Sequence, residues 1–302
     1  MLQTFYVQAK QTQFVHKNLS GDKSFSFAWQ DGEANYTLAF SIDAEAFKAM
    51  PSTKAAFSNA RLQREVEIAL LRAAKDLDPR KGRVKVQRVA NRLEYEVLSR
   101  SQDNANTIMQ NLNDIKETAR SAYLESHFYS HFITSSGVST AKHDHLKYAQ
   151  MSADALQPVV EAIKNLQQNP RNPREFIKIA LSWLQSIPYN TLEDRRSSNG
   201  AGYLSPRDLM LRNQGDCDSK ATLLMALMRA YASSLPQIMV LLPEHALLAI
   251  AIPPQKTDKT ISHGGISYVL LEAAGPAYFK VGQAAKTTLR DIANRQYRIE
   301  AL

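Results

Sequence analysis

The chain has 302 residues, a formal net charge of +8, 44% hydrophobic residues and one cysteine. That length is roughly two domains' worth, each able to bury a core of its own. One cysteine excludes an intramolecular disulfide and any zinc site built from several thiolates, and the lack of a long uninterrupted apolar run excludes an obvious membrane span.

Met1 to Lys10 has no basic start followed by an apolar run. A cytoplasmic location is therefore expected if Met1 is the native start, and a periplasmic or secreted one if a leader has been trimmed. The positive charge suits nucleic acid, anionic lipid or an acidic partner, but the plainer reading is a solvated surface with excess lysine and arginine.

The first residues, 4 to 16, suit a half-buried strand. Phe25, Phe27 and Trp29 alternate on one face, Asp31-Gly32 marks a turn, and Tyr36, Leu38 and Phe40 alternate again, which predicts a hairpin with an aromatic face. Ala44 to Met50 reads as a short helix stopped by Pro51. Leu62, Val66, Ala69, Leu70 and Ala73 predict an amphipathic helix over Ala55 to Leu77. A second hairpin follows, with Val84, Val86 and Val89 on one strand, Leu93, Tyr95 and Val97 on the other, and a turn at Ala90-Asn91.

Arg80, Lys81, Arg83, Lys85, Arg88 and Arg92 form the densest basic run in the chain, with no acid among them. Phosphate contacts need only positive charge. No glycine-rich phosphate loop or interleaved aromatic pair accompanies the run, so a solvated face, or a docking face for an acidic protein partner, is expected in preference to nucleic acid. Asp103 to Phe132 reads as one long helix. His127 and His131, four apart at its end, together with His143 and His145, raise a metal site. The stretch lacks the glutamate of a helical zinc peptidase, so helix-end and loop histidines are expected and no metal is assigned. Thr134 to Thr140 is the best linker. It divides the chain into an N-terminal α+β domain, residues 1–135, and a second domain, residues 145–302.

Leu146 to Gln168 reads as a helix, broken by Asn169-Pro170-Arg171-Asn172-Pro173. Pro173 opens the next one, whose stripe of Phe176, Ile179, Ala180, Trp183, Leu184 and Ile187 is a core face. Asn190 to Tyr203 is a loop. Ser205-Pro206 caps a short helix, and Asp216 is expected to cap the helix that carries Leu223, Leu224, Leu227, Met228 and Tyr231. Cys217 stands at the start of that helix, where the unpaired amides and the dipole favour an anion and lower a thiol's pKa. Asp218, next to it, would oppose a thiolate and is expected to point away.

Downstream, His245 precedes an apolar strand, Ala246 to Ile252. Glu272 ends a second, Ser267 to Leu271. The polar stretch between them, Pro253 to Gly265 with His263, is read as a loop. Two adjacent antiparallel strands would set His245 and Glu272 side by side at one sheet edge. A cysteine nucleophile needs a base, and the base an orienting acceptor, so Cys217, His245 and Glu272 make a workable triad. The oxyanion would rest on the Cys217 backbone N–H and one side-chain donor: Gln214 is the candidate, with Tyr203 and Asn213 comparable. Tyr278 to Val281 suggests a further strand, and Arg290 to Ile299 a closing helix or strand.

These pieces resemble the transglutaminase-like superfamily of papain-type cysteine enzymes, in its microbial branch. The resemblance runs from residue 174 to about 290. It rests on the helix ending Trp183-Leu184-Gln185-Ser186-Ile187-Pro188-Tyr189, on Ser205-Pro206, on Gly215-Asp216-Cys217, on His245 and on the acid at 272. Two positions depart from the family pattern: the acid is a glutamate, and no tryptophan follows His245. The resemblance implies a papain-like domain of helices against an antiparallel sheet. It also implies thiol-dependent cleavage or acyl transfer at a peptide or carboxamide bond of a peptide or protein substrate, with no cofactor. Asp216 and Asp218 flank the cysteine where the animal cross-linking enzymes carry Gln and Trp, so hydrolysis is favoured over transfer to an amine. The alternative is a catalytically inactive binding or scaffold module on the same fold. The first domain would then gate the cleft, supply specificity or recruit a protein partner.

Overall fold

The computed structural model of the chain describes residues 8–89, 92–133, 137, 139–193, 202–275 and 277–301. Three strands come first, β1 (Lys10–Leu19), β2 (Asp22–Gln30) and β3 (Asn35–Ile42), then helices α1 (Ala44–Ala49) and α2 (Asn59–Asp76). The hairpin β4 (Arg83–Val89) and β5 (Arg92–Leu98) leads to α3 (Gln102–Ser126) and a second hairpin, β6 (Tyr129–Ile133) and β7 (Ser139–His143). Five helices follow: α4 (His145–Ala153), α5 (Gln157–Lys164), α6 (Pro173–Ser186), α7 (Pro206–Arg212) and α8 (Cys217–Tyr231). The chain closes with β8 (Gln237–Leu241), β9 (Ala246–Ile250), β10 (Thr260–His263), β11 (Ile266–Leu271), α9 (Lys286–Ala293) and β12 (Arg298–Ala301). The protein is α+β, and its named strands pair antiparallel.

The chain divides into two compact units, Met1–Ala55 with His145–Leu302, and Ala56–Asp144. This differs from the expected split into 1–135 and 145–302, and the reason is the aromatic face of the first sheet. Phe25, Phe27, Trp29, Leu38 and Phe40 are all buried. Phe27 and Phe40 meet the Trp183 ring of α6 edge-on, at centroid distances of 5.1 and 6.2 Å, and Trp29 Nε1 donates to Ser182 Oγ at 3.0 Å. Farther along, Gln11 of β1 and Asn213 exchange side-chain amide hydrogen bonds at 3.0 and 2.6 Å. The hairpin predicted from alternation is therefore one wall of the C-terminal core. A three-stranded sheet with one apolar face needs such a wall to be stable.

In the same unit, a five-stranded sheet runs β10-β11-β9-β8-β12. Helix α8 packs across β9 and β8. Strand β10 occupies part of the polar stretch read as a loop, with His263 at its end. Residues 290 to 299 supply both alternatives left open: the end of α9, then the start of β12. The expected single helix over Leu146 to Gln168 is two helices, α4 and α5, joined by a turn of 3₁₀ helix, with Pro158 in the first turn of α5.

The Ala56–Asp144 unit has its own core, in which Leu62, Val66 and Leu70 of α2 meet Ile108 and Leu112 of α3 over the β4–β5 hairpin. The turn at Ala90-Asn91 lies outside the described residues. Cross-strand register sets Glu96 opposite Lys85, and Arg88 donates to Glu67 Oε2 at 2.6 Å, so acids from outside the basic run offset part of its charge. Helix α3 stops at Ser126, earlier than expected. His127 caps it and Phe128 turns the chain at φ 59°, which puts His131 on β6 instead of on a shared helical face with His127. His131 Nε2 bonds Ser139 Oγ, and His143 is buried against the Tyr129 ring. Among the described residues no group of three or more His, Cys, Asp or Glu side chains is placed to hold a metal ion. The expected linker lies partly outside the described residues. Its last residues, Ser139 and Thr140, open β7 and pair with β6, and the division between the units falls after Asp144. No described helix is long and apolar enough to cross a membrane.

Trp29→Ala removes a fully buried ring and its hydrogen bond to Ser182. It is expected to destabilise the protein by about 3–5 kcal/mol in urea unfolding. A loss under about 1 kcal/mol would show that the first sheet is not part of that core.

Candidate active site

Cys217 is the first residue of α8 and is 8% exposed. Asp216 caps the helix: its Oδ1 accepts from the Ser219 backbone N–H at 2.9 Å and from the Ser219 hydroxyl. The preceding turn is tight. A Cβ on Gly215 would lie 2.9 Å from a Leu209 methyl, and the Gly215 backbone pairs with the segment after α6. Its N–H donates to the Pro188 carbonyl and its carbonyl accepts from the Asn190 N–H, both at 3.2 Å. This bridge brings Tyr189 beside the turn that precedes Cys217.

Strands β9 and β11 are neighbours, with Leu248 opposite Leu271. His245 stands just before the first and Glu272 just after the second, so both fall at the same sheet edge. His245 Nε2–H donates to Glu272 Oε1 and Oε2 at 2.8 and 2.9 Å. With Nε2 committed, Nδ1 is the nitrogen left to take a proton. The glutamate is 1% exposed. Its backbone is braced by Gln185, whose Nε2 donates to the Glu272 carbonyl at 2.6 Å and to the Phe279 carbonyl at 3.0 Å. Gly275 passes so close to Gln185 that a Cβ there would sit 2.3 Å from the Gln185 carbonyl oxygen. Its φ of 61° also disfavours any other residue.

The sulfur meets four groups. The Ala246 backbone N–H, next to His245, and the Tyr189 hydroxyl both lie near enough to influence its ionisation. Its own proton points to Asp218 Oδ1 at 3.3 Å, and Asp216 acts on it through charge. Asp218 thus faces the thiol, against the expectation that it would turn away. Its other oxygen lies 3.5 Å from Nε2 of the buried His145. Burial, then the Asp218 and Asp216 carboxylates, push the Cys217 thiol well above its ordinary value, outweighing the Ala246 N–H. The resting group is a protonated thiol, its pKa raised where the helix start alone predicts a lowered one. Burial draws the His245 pKa down, but the hydrogen bond and charge of Glu272, aided by Asp218, more than reverse this and leave it raised. Burial also raises Tyr189 to about 12, so its hydroxyl keeps its proton at neutral pH.

No family model matches the chain, and neither does any curated protein or solved structure.

The structure thus gathers Cys217, Asp216, His245 and Glu272 around the tip of α8. Of the three oxyanion candidates, the Asn213 side chain is held by Gln11 and Tyr203 is buried against His145 and Tyr148. The Gln214 Oε1 accepts from Asn190 Nδ2 at 3.2 Å, which leaves its Nε2 hydrogens as donors. Sequence reasoning misses Tyr189 as a site residue, and it misses the Asp218–His145 pair. The signal for Tyr189 is the Pro188-Tyr189 stop at the end of α6, which pairing with Gly215 turns into a site wall. A cleft of about 390 Å³ opens on the His245 side, lined by Tyr189, Glu244, His245, Glu272, Arg290 and Asp291 among others.

His245 binds its proton more tightly folded than unfolded. The pair therefore contributes stability that is fully present below the unfolded value of about 6.5 and is lost as pH rises through the folded one. In Glu272→Gln the chief raising influence is gone, so an NMR titration should show the His245 pKa moving down; an unchanged value would mean the carboxylate does not act on the ring. Asp218→Asn removes a charge that opposes the thiolate. Iodoacetamide should alkylate the lone cysteine faster in this variant at pH 8, and a slower rate would contradict a repulsive role for that carboxylate.

Proposed function

We propose that the chain is a transglutaminase-like cysteine enzyme that cleaves, or transfers the acyl group of, a peptide or carboxamide bond, with water the favoured acceptor. The observation that carries the reading is the arrangement of two consecutive residues. The Ala246 backbone N–H lies near enough the sulfur to favour its ionised form, while His245 beside it is fixed on a buried carboxylate.

In this reading a substrate carbonyl settles against the tip of α8. The thiol proton passes from Cys217 Sγ to His245 Nδ1 as sulfur bonds to the carbonyl carbon. The negative charge that forms on oxygen is met by the Cys217 backbone N–H, unpaired because it opens the helix, and by the Tyr189 hydroxyl or the Gln214 amide. His245 then gives its proton to the leaving nitrogen, the C–N bond breaks, and a thioester remains on Cys217. Water attacks the thioester while His245 takes its proton, and collapse releases the carboxylic acid and restores the thiol. An amine in place of water would give a new amide. Glu272 holds the ring in the tautomer that leaves Nδ1 open and stabilises the imidazolium. Because the resting thiol is protonated, His245 acts as a general base during attack, not as half of a standing ion pair. The acids at 216 and 218 keep the favoured acceptor water, as in the microbial members of the family resembled.

The second reading is an inactive binding module on the same fold, and the raised thiol favours it. Acyl transfer from 4-nitrophenyl acetate separates the two. The enzyme reading expects a burst of nitrophenolate, an acetyl group on Cys217 by mass spectrometry and no burst in Cys217→Ala. Loss of the base in His245→Ala should slow acylation by about 10²–10⁴-fold, and Tyr189→Phe by about tenfold or more if its hydroxyl meets the oxyanion. Acylation as fast in His245→Ala as in the unmodified protein would leave only the binding module.

A further inference from the structure

Lys220 lies one helical turn beyond Cys217 on α8 and is wholly buried, at 0% exposure. Its Nζ donates to two backbone carbonyls, Ile187 and Ala274, each at 2.6 Å. Neither carbonyl belongs to a strand or lies inside a helix: Ile187 is the C-cap of α6, and Ala274 follows β11. Ile187 stands two residues before Tyr189, whose hydroxyl lies near the sulfur. Ala274 stands two residues after Glu272, whose carboxylate is on the imidazole. One side chain therefore ties together the segments that carry both partners of the reacting pair. It springs from the helix that carries the nucleophile.

Packing alone gives no reason for a lysine here. An ammonium taken fully out of water costs several kcal/mol unless its donors are satisfied, and a methionine or leucine would fill similar space without that cost. What an apolar side chain cannot do is bond two loop carbonyls that approach from different segments. Lysine's slim stem and rotatable ammonium can.

We propose that Lys220 is a positioning residue for the reaction at Cys217, fastening the Tyr189 and Glu272 segments to the nucleophile's helix and placing a positive charge behind the sulfur. The proposal rests on the thiol-enzyme reading. The charge has a consequence of its own. Burial lowers the Lys220 pKa to about 7, while Asp216 and, once it is ionised, Cys217 raise it against that trend. The coupling is mutual, so a protonated Lys220 favours the ionised sulfur. The ionisable groups facing it are Asp216 and Cys217 on its own helix and, from the segment after α6, Tyr189, whose ring centroid is 5.9 Å from Nζ. From the segment after β11, the nearest ionisable side chain in sequence is Glu272, which is turned to His245.

The test is the pH profile of Cys217 acylation by 4-nitrophenyl acetate between about pH 5.5 and 9, in the full chain. The unmodified protein should give a bell: a rise as His245 loses its proton, then a fall near pH 7 as Lys220 loses its charge. Lys220→Met, checked for folding by near-ultraviolet circular dichroism, should lose the falling limb and acylate about tenfold more slowly at pH 6.5, the worth of roughly one pKa unit. Lys220→Arg keeps a charge throughout and should lose the falling limb with a smaller drop in rate. A folded Lys220→Met with the unmodified rate and bell overturns the proposal and leaves the enzyme reading standing. If Lys220→Met does not fold, the unmodified profile still decides: a plateau that stays level to pH 9 overturns the proposal. No acylation of Cys217 at any pH removes the enzyme reading, and this inference with it.

Discussion

Glu272 is a carboxylate kept almost wholly out of water, and the His245 imidazole is its main partner, with the Ala274 N–H a longer contact at 3.5 Å. A carboxylate in that position is tolerated only where its oxygens are bonded, and both reach the same His245 nitrogen. Much of the surrounding architecture serves to keep that pair in place. Strand pairing between β9 and β11 sets the two residues at one edge, and Gln185 grips the glutamate's backbone from α6. Gly275 lets the chain turn tightly against Gln185, and Lys220 takes the carbonyl just beyond. Helix α6 is itself held by the aromatic face of the first sheet. Core contacts of Trp29 with Ser182 and of Phe27 and Phe40 with Trp183 thus bear on a hydrogen bond in the site.

The surroundings of the sulfur point the other way. They favour the neutral thiol, because the cysteine is nearly buried and two aspartates share its end of the helix. A helix start and the nearby Ala246 N–H do not outweigh them. In the proposed reading the thiolate forms only as a bound carbonyl is attacked, with His245 taking the proton. The raised affinity of His245 for a proton suits that task, since a stronger base takes a proton from a weaker acid more readily. The same environment limits side reactions of the free thiol, as its reactive form is scarce in the empty site.

Much of this was legible in the sequence because it depends on local rules. Asp216 before an apolar period predicts a capped helix, and the cap is there at Ser219. Alternation at Phe25, Phe27 and Trp29 predicts a strand and its buried face, and the two apolar runs ending at Ile252 and Leu271 correspond to neighbouring strands. What the sequence did not disclose depends on partners far away in the chain. The first hairpin's periodicity shows that it needs a wall, but not that the wall is Trp183. Strand β8, short and uninterrupted in its apolar character, carries no alternation to mark it as the strand between β9 and β12. The rotation of Asp218 towards the sulfur is a side-chain choice set by His145, which lies over seventy residues upstream. Tyr189 enters the site only through the backbone bridge to Gly215.

The proposed chemistry turns on His245 and Glu272 acting on Cys217 as one unit. A double-mutant cycle on the acylation rate addresses this directly, with His245→Ala, Glu272→Gln and the pair combined. If the carboxylate works only through the ring, the double variant acylates as slowly as His245→Ala alone, and the two losses do not add. Losses that add in full would mean that the two residues act separately, and a mechanism in which the glutamate works through the imidazole would be wrong.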